Sequence, residues 1–144
     1  MIAIARPFDP HEASDLRRKR SRDLIESVAS RAMWLGRGER TLVLAVYRDG
    51  LSAAAVARIR RTKARTVRRQ VRLAVQRLFG GEAEFVMRHR ETWAATRRNA
   101  ATLVLVQGKS MREASRTLGV ALHAVRLHVE AVRSLARGEA GDVA

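Results

Sequence analysis

The stretch GLSAAAVARIRRTKARTVRRQVRLAVQRL, residues 50–78, sets two helical patterns in tandem. Ser52, placed just after Gly50, is a residue type that caps helix N-termini, and it predicts a short helix running to about Ile59. After a turn, Val67, Val71, Ala74 and Leu78 recur at i, i+4, i+7 and i+11, one narrow arc of a longer helix from about Ala64 to Phe79, before Gly80-Gly81. The opposite arc of that second helix carries Arg65, Arg69, Arg72 and Gln76. A short helix, a tight turn and a longer amphipathic helix make a helix-turn-helix pattern.

The rest of the chain reads as helix too. It has 144 residues, 47% of them apolar, enough for a core, and its two prolines, Pro7 and Pro10, both fall in the first ten positions. No segment alternates as a half-buried strand would. Asp9, Pro10 and Glu12 supply an N-cap, a first-turn proline and a capping-box partner for a first helix. Leu24, Ile25, Val28, Ala32 and Leu35 are its expected buried stripe, and GRG at 36–38 ends it. A second helix, ERTLVLAVYR (39–48), stops at Asp49-Gly50.

A shift of 58 residues lays the opening stretch on a later one, GKSMREASRTLGVALHAVRLHV. Gly50 meets Gly108, Ser52 meets Ser110, Val67 meets Val125 and Val71 meets Val129. Ser110 and Glu113 add a capping box that the first copy lacks. TLVLAV at 41 and TLVLV at 102 are alike in a different register and carry no weight. The expectation is an all-α protein of tandem helix-turn-helix units, each of about three to four helices. The divisions are an N-terminal helix (1–37), a strongly basic first unit (38–81), a second unit (82–138) and a disordered tail (139–144).

Charge is concentrated in the first copy. The formal net charge is +15, from 29 basic and 14 acidic residues. Between Leu51 and Gly80 stand nine basic residues and no Asp or Glu; Lys109 to Gly138 holds six basic residues with Glu113 and Glu130. Such a field points to an anionic partner. An arginine row on an exposed helix face is what a recognition helix needs to reach bases and phosphates in a major groove.

The residues Gly50, Ser52, Val56, Ala57, Thr66, Val67, Ala74 and Leu78 resemble region 4 of bacterial sigma-70-type factors, and Glu113, Leu118, Gly119 and Val120 resemble the same unit in the second copy. The two matches together cover under half of the chain. The resemblance implies double-stranded DNA binding and transcription regulation, with Ala64, Arg65 and Arg69 nearest the base edges. Arg58, Arg60, Arg61, Lys63, Arg68 and Arg72 would hold phosphates. Two departures stand out. Arg60 and Arg61 replace an apolar residue and the turn glycine, which leaves the turn geometry open, and Ser115 replaces a small Ala. No promoter-melting domain precedes the first copy in this sequence, so an autonomous sigma factor is not expected.

The second copy keeps the apolar arc at Val125, Val129, Val132 and Ala136, while its outer arc becomes His123, Leu127, Glu130 and Ser134. A carboxylate facing phosphate repels, so this copy is expected to contact protein, or DNA more lightly through His123 and Arg126; Glu130 accepting from a cytosine amine keeps a second reading head open. Arg17 to Arg20 (RRKR) lies among Asp15, Asp23 and Glu26 and fits a solvated face with i,i+4 pairs. Trp34 and Trp93 are expected core anchors.

No Gly-rich phosphate loop, cysteine nucleophile or carboxylate pair suggests an enzyme, and the four scattered histidines suggest no metal site. No cofactor is implied. The start lacks a signal-peptide pattern and no segment approaches the ~18 apolar residues of a membrane span, so a cytoplasmic protein without membrane contact is expected. Two other classes remain: a non-specific nucleic-acid binder, and an adaptor that holds RNA polymerase or a sigma factor. The outward apolar positions of the second copy permit a homodimer.

Overall fold

The computed structural model describes the backbone of residues 10–143 and the side chains of residues 19–142. The fold is all-α, and among the described residues there is no strand. The helices are α1 (Pro10–Ala32), α2 (Arg37–Tyr47), α3 (Ala53–Arg60), α4 (Ala64–Leu78), α5 (Gly81–His89), α6 (Ala95–Ala101), α7 (Met111–Leu118) and α8 (Leu122–Val143). A 3-10 turn at Arg90–Thr92 follows α5, and a π-helical turn at Thr102–Val106 extends α6. The Asp9 cap and the Glu12 side chain that would complete it lie outside the described residues.

α4 is the organising element of the first half because its apolar arc serves two clusters in succession. Val67 and Val71 pack with Leu42 of α2 and with Val56 and Ala57 of α3. One and two turns later, Ala74 and Leu78 pack with Val43 and with Val28, Ala32 and Leu35 from the end of α1. Each such aliphatic side chain contributes roughly 1.5–3 kcal/mol on burial. α1 therefore packs as part of the first unit and not as a separate N-terminal helix. A third cluster, built on Phe85, Val86, Leu105, Val106, Val125, Val129 and Val132, forms the second half. Trp34 touches the second and third clusters, and Trp93 packs on the third, tilted against Phe85 with ring centroids 6.0 Å apart.

Two arginines hold the halves together at the end of α4. Arg77 makes a bidentate pair with Glu39 of α2, both bonds 2.9 Å, and donates at 3.1 Å to the Val106 carbonyl. Its guanidinium occupies the space where a side chain at position 108 would start, so Gly108 is required there for a close approach as well as for its φ of +69°. Arg31, on the last turn of α1, donates to the Leu78 carbonyl at 3.0 Å and lies 4.6 Å from the Phe79 ring centroid and 5.2 Å from that of Trp34.

The 58-residue repeat holds down to single hydrogen bonds. Ser52 Oγ accepts from the Ala55 amide and Ser110 Oγ from the Glu113 amide, each at 3.1 Å. The bonds Asp49 N to Leu44 O, Leu51 N to Ala45 O and Thr62 N to Ala57 O have counterparts in Gln107 N to Thr102 O, Lys109 N to Leu103 O and Val120 N to Ser115 O. Gly50 and Gly108 share φ +69°. The turn between the paired helices is left-handed in both: Gly119 has φ +64° and Arg61, its counterpart, φ +54°. The open question about Arg61 is thus answered: the arginine adopts the glycine conformation, at a steric cost of roughly 1–2 kcal/mol. Ser115 also finds its use, since its Oγ donates at 2.6 Å to the Val120 carbonyl and closes the second turn.

Three expectations are corrected. Leu24 and Ile25 are 53% and 37% exposed, and among the described side chains of α1 the first buried one is Val28, where α2 and α4 cover the C-terminal part of the helix. The segment from Glu139 is no disordered tail: α8 continues to Val143, and Glu139 pairs with Arg88 and sits 2.9 Å from His89 Nε2. Lys19 and Arg20 are exposed as expected of a solvated face, but among the described residues Asp23 and Glu26 form no ion pair.

The strained turn is testable. Arg61→Gly should stabilise the fold by about 0.5–1 kcal/mol, raising the thermal midpoint by about 2–3 °C in circular dichroism melts, after allowance for glycine's larger unfolded-state entropy. An unchanged or lower midpoint would show that Arg61 is not strained.

Candidate nucleic-acid interface

The sequence places a row of arginines opposite the buried arc of α4, and the packing of that arc fixes where the row points. With Val67 and Leu78 fully buried and Val71 and Ala74 at 7% and 1% exposure, α4 has one way to face the core. Arg65, Arg69, Arg72 and Gln76 then stand on the solvent side, all exposed. Arg58 and Arg60 on α3, Arg61 and Lys63 in the turn, and Arg68 on α4 are exposed as well. All eight expected contact residues are therefore available on the surface of a single helix pair and its turn.

Electrostatic pairing separates these eight from seven other arginines. Glu39 is taken by Arg77, Asp49 by Arg48, Glu84 by Arg31 and Arg88, Glu91 by Arg90 and Arg98, and Glu82 by Arg133. Among the described residues none of Arg58, Arg60, Arg61, Lys63, Arg65, Arg68, Arg69 and Arg72 has a carboxylate within ion-pair distance. Among the described residues, Arg60 alone of the eight makes a side-chain hydrogen bond, a 3.4 Å contact to the Gly38 carbonyl. Unpaired guanidinium groups keep their donors free for carboxylate- or phosphate-type acceptors.

The start of α4 adds to the field. α3 begins with the Ser52 side-chain cap, whereas α4 begins at Lys63 with no side-chain cap and no acidic residue in its first turn. The first amides of α4 and the positive end of its dipole therefore point to solvent beside Lys63 and Arg65. The combination of an uncapped helix start with free cations before and after it suits an anionic ligand better than it suits stability.

The second helix pair presents a different surface on the same backbone. His123, Arg126, Leu127 and Glu130 are all exposed, Leu127 at 58%, so Leu127 is not covered locally. Glu130 is engaged by Arg133 at 3.7 Å. His128 leans on Arg97, with 3.4 Å between Arg97 Nε and His128 Nδ1. Among the described residues no cluster of three or more His, Asp or Glu is arranged to hold a metal ion, and no helix is long and apolar enough to cross a membrane.

Arg77 was counted with the basic stretch and proves to be the exception within it. Its side chain is only 21% exposed and its charge is spent on Glu39. The sequence held a weak signal: Arg77 is adjacent to Leu78 and off the arc of Arg65, Arg69 and Arg72, so it turns toward the body. The two roles predict different stability effects. Arg77→Ala strands Glu39 and the Val106 carbonyl and should cost about 2 kcal/mol in urea denaturation, while Arg69→Ala should stay within about 0.5 kcal/mol of wild type. Equal losses for both variants would contradict the assignment.

Compared with protein-family models, with curated protein sequences and with solved structures, the chain matches none.

Proposed function

We propose that the protein binds double-stranded DNA in a sequence-specific manner through the α3–α4 pair and acts as a transcriptional regulator, with α4 as a recognition helix of the sigma region 4 kind. The observation that carries this reading is the exposed, unpaired arginine comb on α4, set opposite a fully packed arc. Arginine spans guanine bidentately in the major groove, and the surrounding cations on α3 and the turn suit phosphates on either side. In this reading Arg65 and Arg69 reach base edges, while Arg58, Arg60, Arg61, Lys63, Arg68 and Arg72 hold the backbone. Phosphate contacts alone would give affinity without preference, so the specificity rests on the first two.

A second reading has its own observation. An open, largely apolar cleft of about 280 Å³ lies between α2, α3 and α4, lined by Val46, Tyr47, Ala53, Val67, Val71 and Val75 and bordered by Arg68, Arg72 and Gln76. Such a cleft suits an adaptor that holds RNA polymerase or a sigma factor. Under that reading, capture of purified polymerase survives Arg65→Ala with Arg69→Ala; under the first reading the same variant loses its DNA preference.

The direct test is titration against a selected duplex and a scrambled one at several salt concentrations. Arg69→Ala should weaken binding to the selected duplex by about 1–3 kcal/mol and narrow the gap to scrambled DNA, whereas Arg72→Ala should weaken both alike and reduce the salt slope by about one. If neither substitution changes binding, α4 is not the recognition helix.

A further inference from the structure

The two helix pairs share a backbone, so the differences between their side chains can be compared position by position. At the places that Arg65 and Arg69 occupy in the first pair, the second carries His123 and Leu127, and at the place of Arg72 it carries Glu130. The base-facing row is gone. At the places of Arg58 and Arg68, however, the second pair carries Arg116 and Arg126. Those are two of the positions assigned to phosphate contact in the first pair, and the matching turn hydrogen bonds put Arg116 and Arg126 in the same relation to their own helix pair.

The second pair also gains cations that the first lacks. Lys109 and Arg112 stand where the first pair has Leu51 and Ala54. Arg112 and Arg116 are one turn apart on α7, opposite the row Met111, Ala114, Ser115 and Leu118 that turns inward. Lys109, Arg112, Arg116 and Arg126 are all exposed, and among the described residues none is ion-paired. Elsewhere in this half Arg88, Arg90, Arg98 and Arg133 are each tied to a carboxylate, Arg97 is hydrogen-bonded to His128 and Arg137 to Ser134. Glu113 lies on the same helix, in its first turn, where the helix dipole favours a carboxylate. The set of four keeps a net positive charge with Glu113 included.

We propose that the α7–α8 pair is a second, sequence-independent DNA site, in which Lys109, Arg112, Arg116 and Arg126 hold the sugar-phosphate backbone of the duplex whose bases α4 reads. This deepens the DNA-binding reading above and rests on it. The ligand class is a run of duplex phosphodiesters. Leu127 and the Arg133-bound Glu130 explain why the site grips without reading: neither matches the arginine–guanine contact, and the carboxylate is kept from the phosphates by its own partner.

The test uses the full chain on a duplex carrying its selected sequence, with hydroxyl-radical footprinting and affinity across salt. Arg112→Ala with Arg116→Ala should lower the salt slope by about two, shorten the footprint at one end and leave the ratio of selected to scrambled affinity unchanged. The converse variant, Leu127→Arg with Glu130→Arg, should steepen the slope by about two. Both variants change exposed residues, and circular dichroism checks that they fold. Wild-type binding with an unchanged slope and footprint in the double alanine variant overturns the second site alone. A wild-type chain that binds no duplex overturns this proposal together with the DNA-binding reading.

Discussion

The pair between Arg77 and Glu39 is the constraint on which the arrangement of this molecule depends. It ties the end of α4 to α2, and through the Val106 carbonyl and the bare Cα of Gly108 it ties the same point to the turn that leads into α7. A guanidinium that meets two carboxylate oxygens and a carbonyl at once has little freedom, and the planar fork of arginine suits it where lysine would not. With Arg31 stacked on Trp34 and Phe79 at the other side of the same helix end, α4 is fixed in direction and in rotation. The packed arc of α4 decides which face is exposed, and the held end keeps that face fixed relative to the rest of the molecule.

From this follows a division of the cations by what they touch. Arg31 and Arg77 at the junction and Arg88, Arg90, Arg98 and Arg133 in the second half are paired with carboxylates of the same chain, while among the described residues those on α3, on the following turn and on the outer face of α4, like Lys109, Arg112, Arg116 and Arg126, are left without carboxylate partners. The clustering of free positive charge in one place, beside a helix start that lacks a side-chain cap, concentrates the field of a +15 chain. Arg61 adds a further sign of the same trade. A glycine would sit in that turn more comfortably, as Gly119 does in the other copy, so the arginine is held in strain where its charge joins the row.

Much of the fold was legible in the sequence because it rests on local rules. The Ser52 and Ser110 caps, the glycine stops at 50 and 108, the limits of α4 and the buried arcs of α4 and α8 all follow from periodicity and turn chemistry, and the 58-residue shift extends to individual hydrogen bonds. The misreadings come from tertiary facts. Leu24 and Ile25 have helical spacing and yet are not taken into the cluster that buries the end of α1. Residues 139–143 look unstructured by composition, with Gly138 and Gly141 nearby, and remain helical where Glu139 reaches Arg88 and His89. α5 carries only a short pattern and went unassigned. For the candidate site, sequence arithmetic found the eight exposed cations and left Arg77 off their arc, but it could not show what Arg77 does instead, since pairing with Glu39 across 38 residues is invisible to spacing. Nor did it single out Lys109, Arg112 and Arg116, whose significance appears only once the two turns are known to match.

The most direct measurement is selection of the purified chain against a random duplex library, followed by affinity of the winning sequence and of scrambled DNA at several salt concentrations. The account predicts a defined motif bound at least about 10³-fold more tightly than scrambled DNA, with arginine–guanine positions that disappear in Arg65→Ala and Arg69→Ala. Equal and steeply salt-dependent binding to every sequence would contradict it, leaving a charge-driven surface whose selectivity must come from elsewhere.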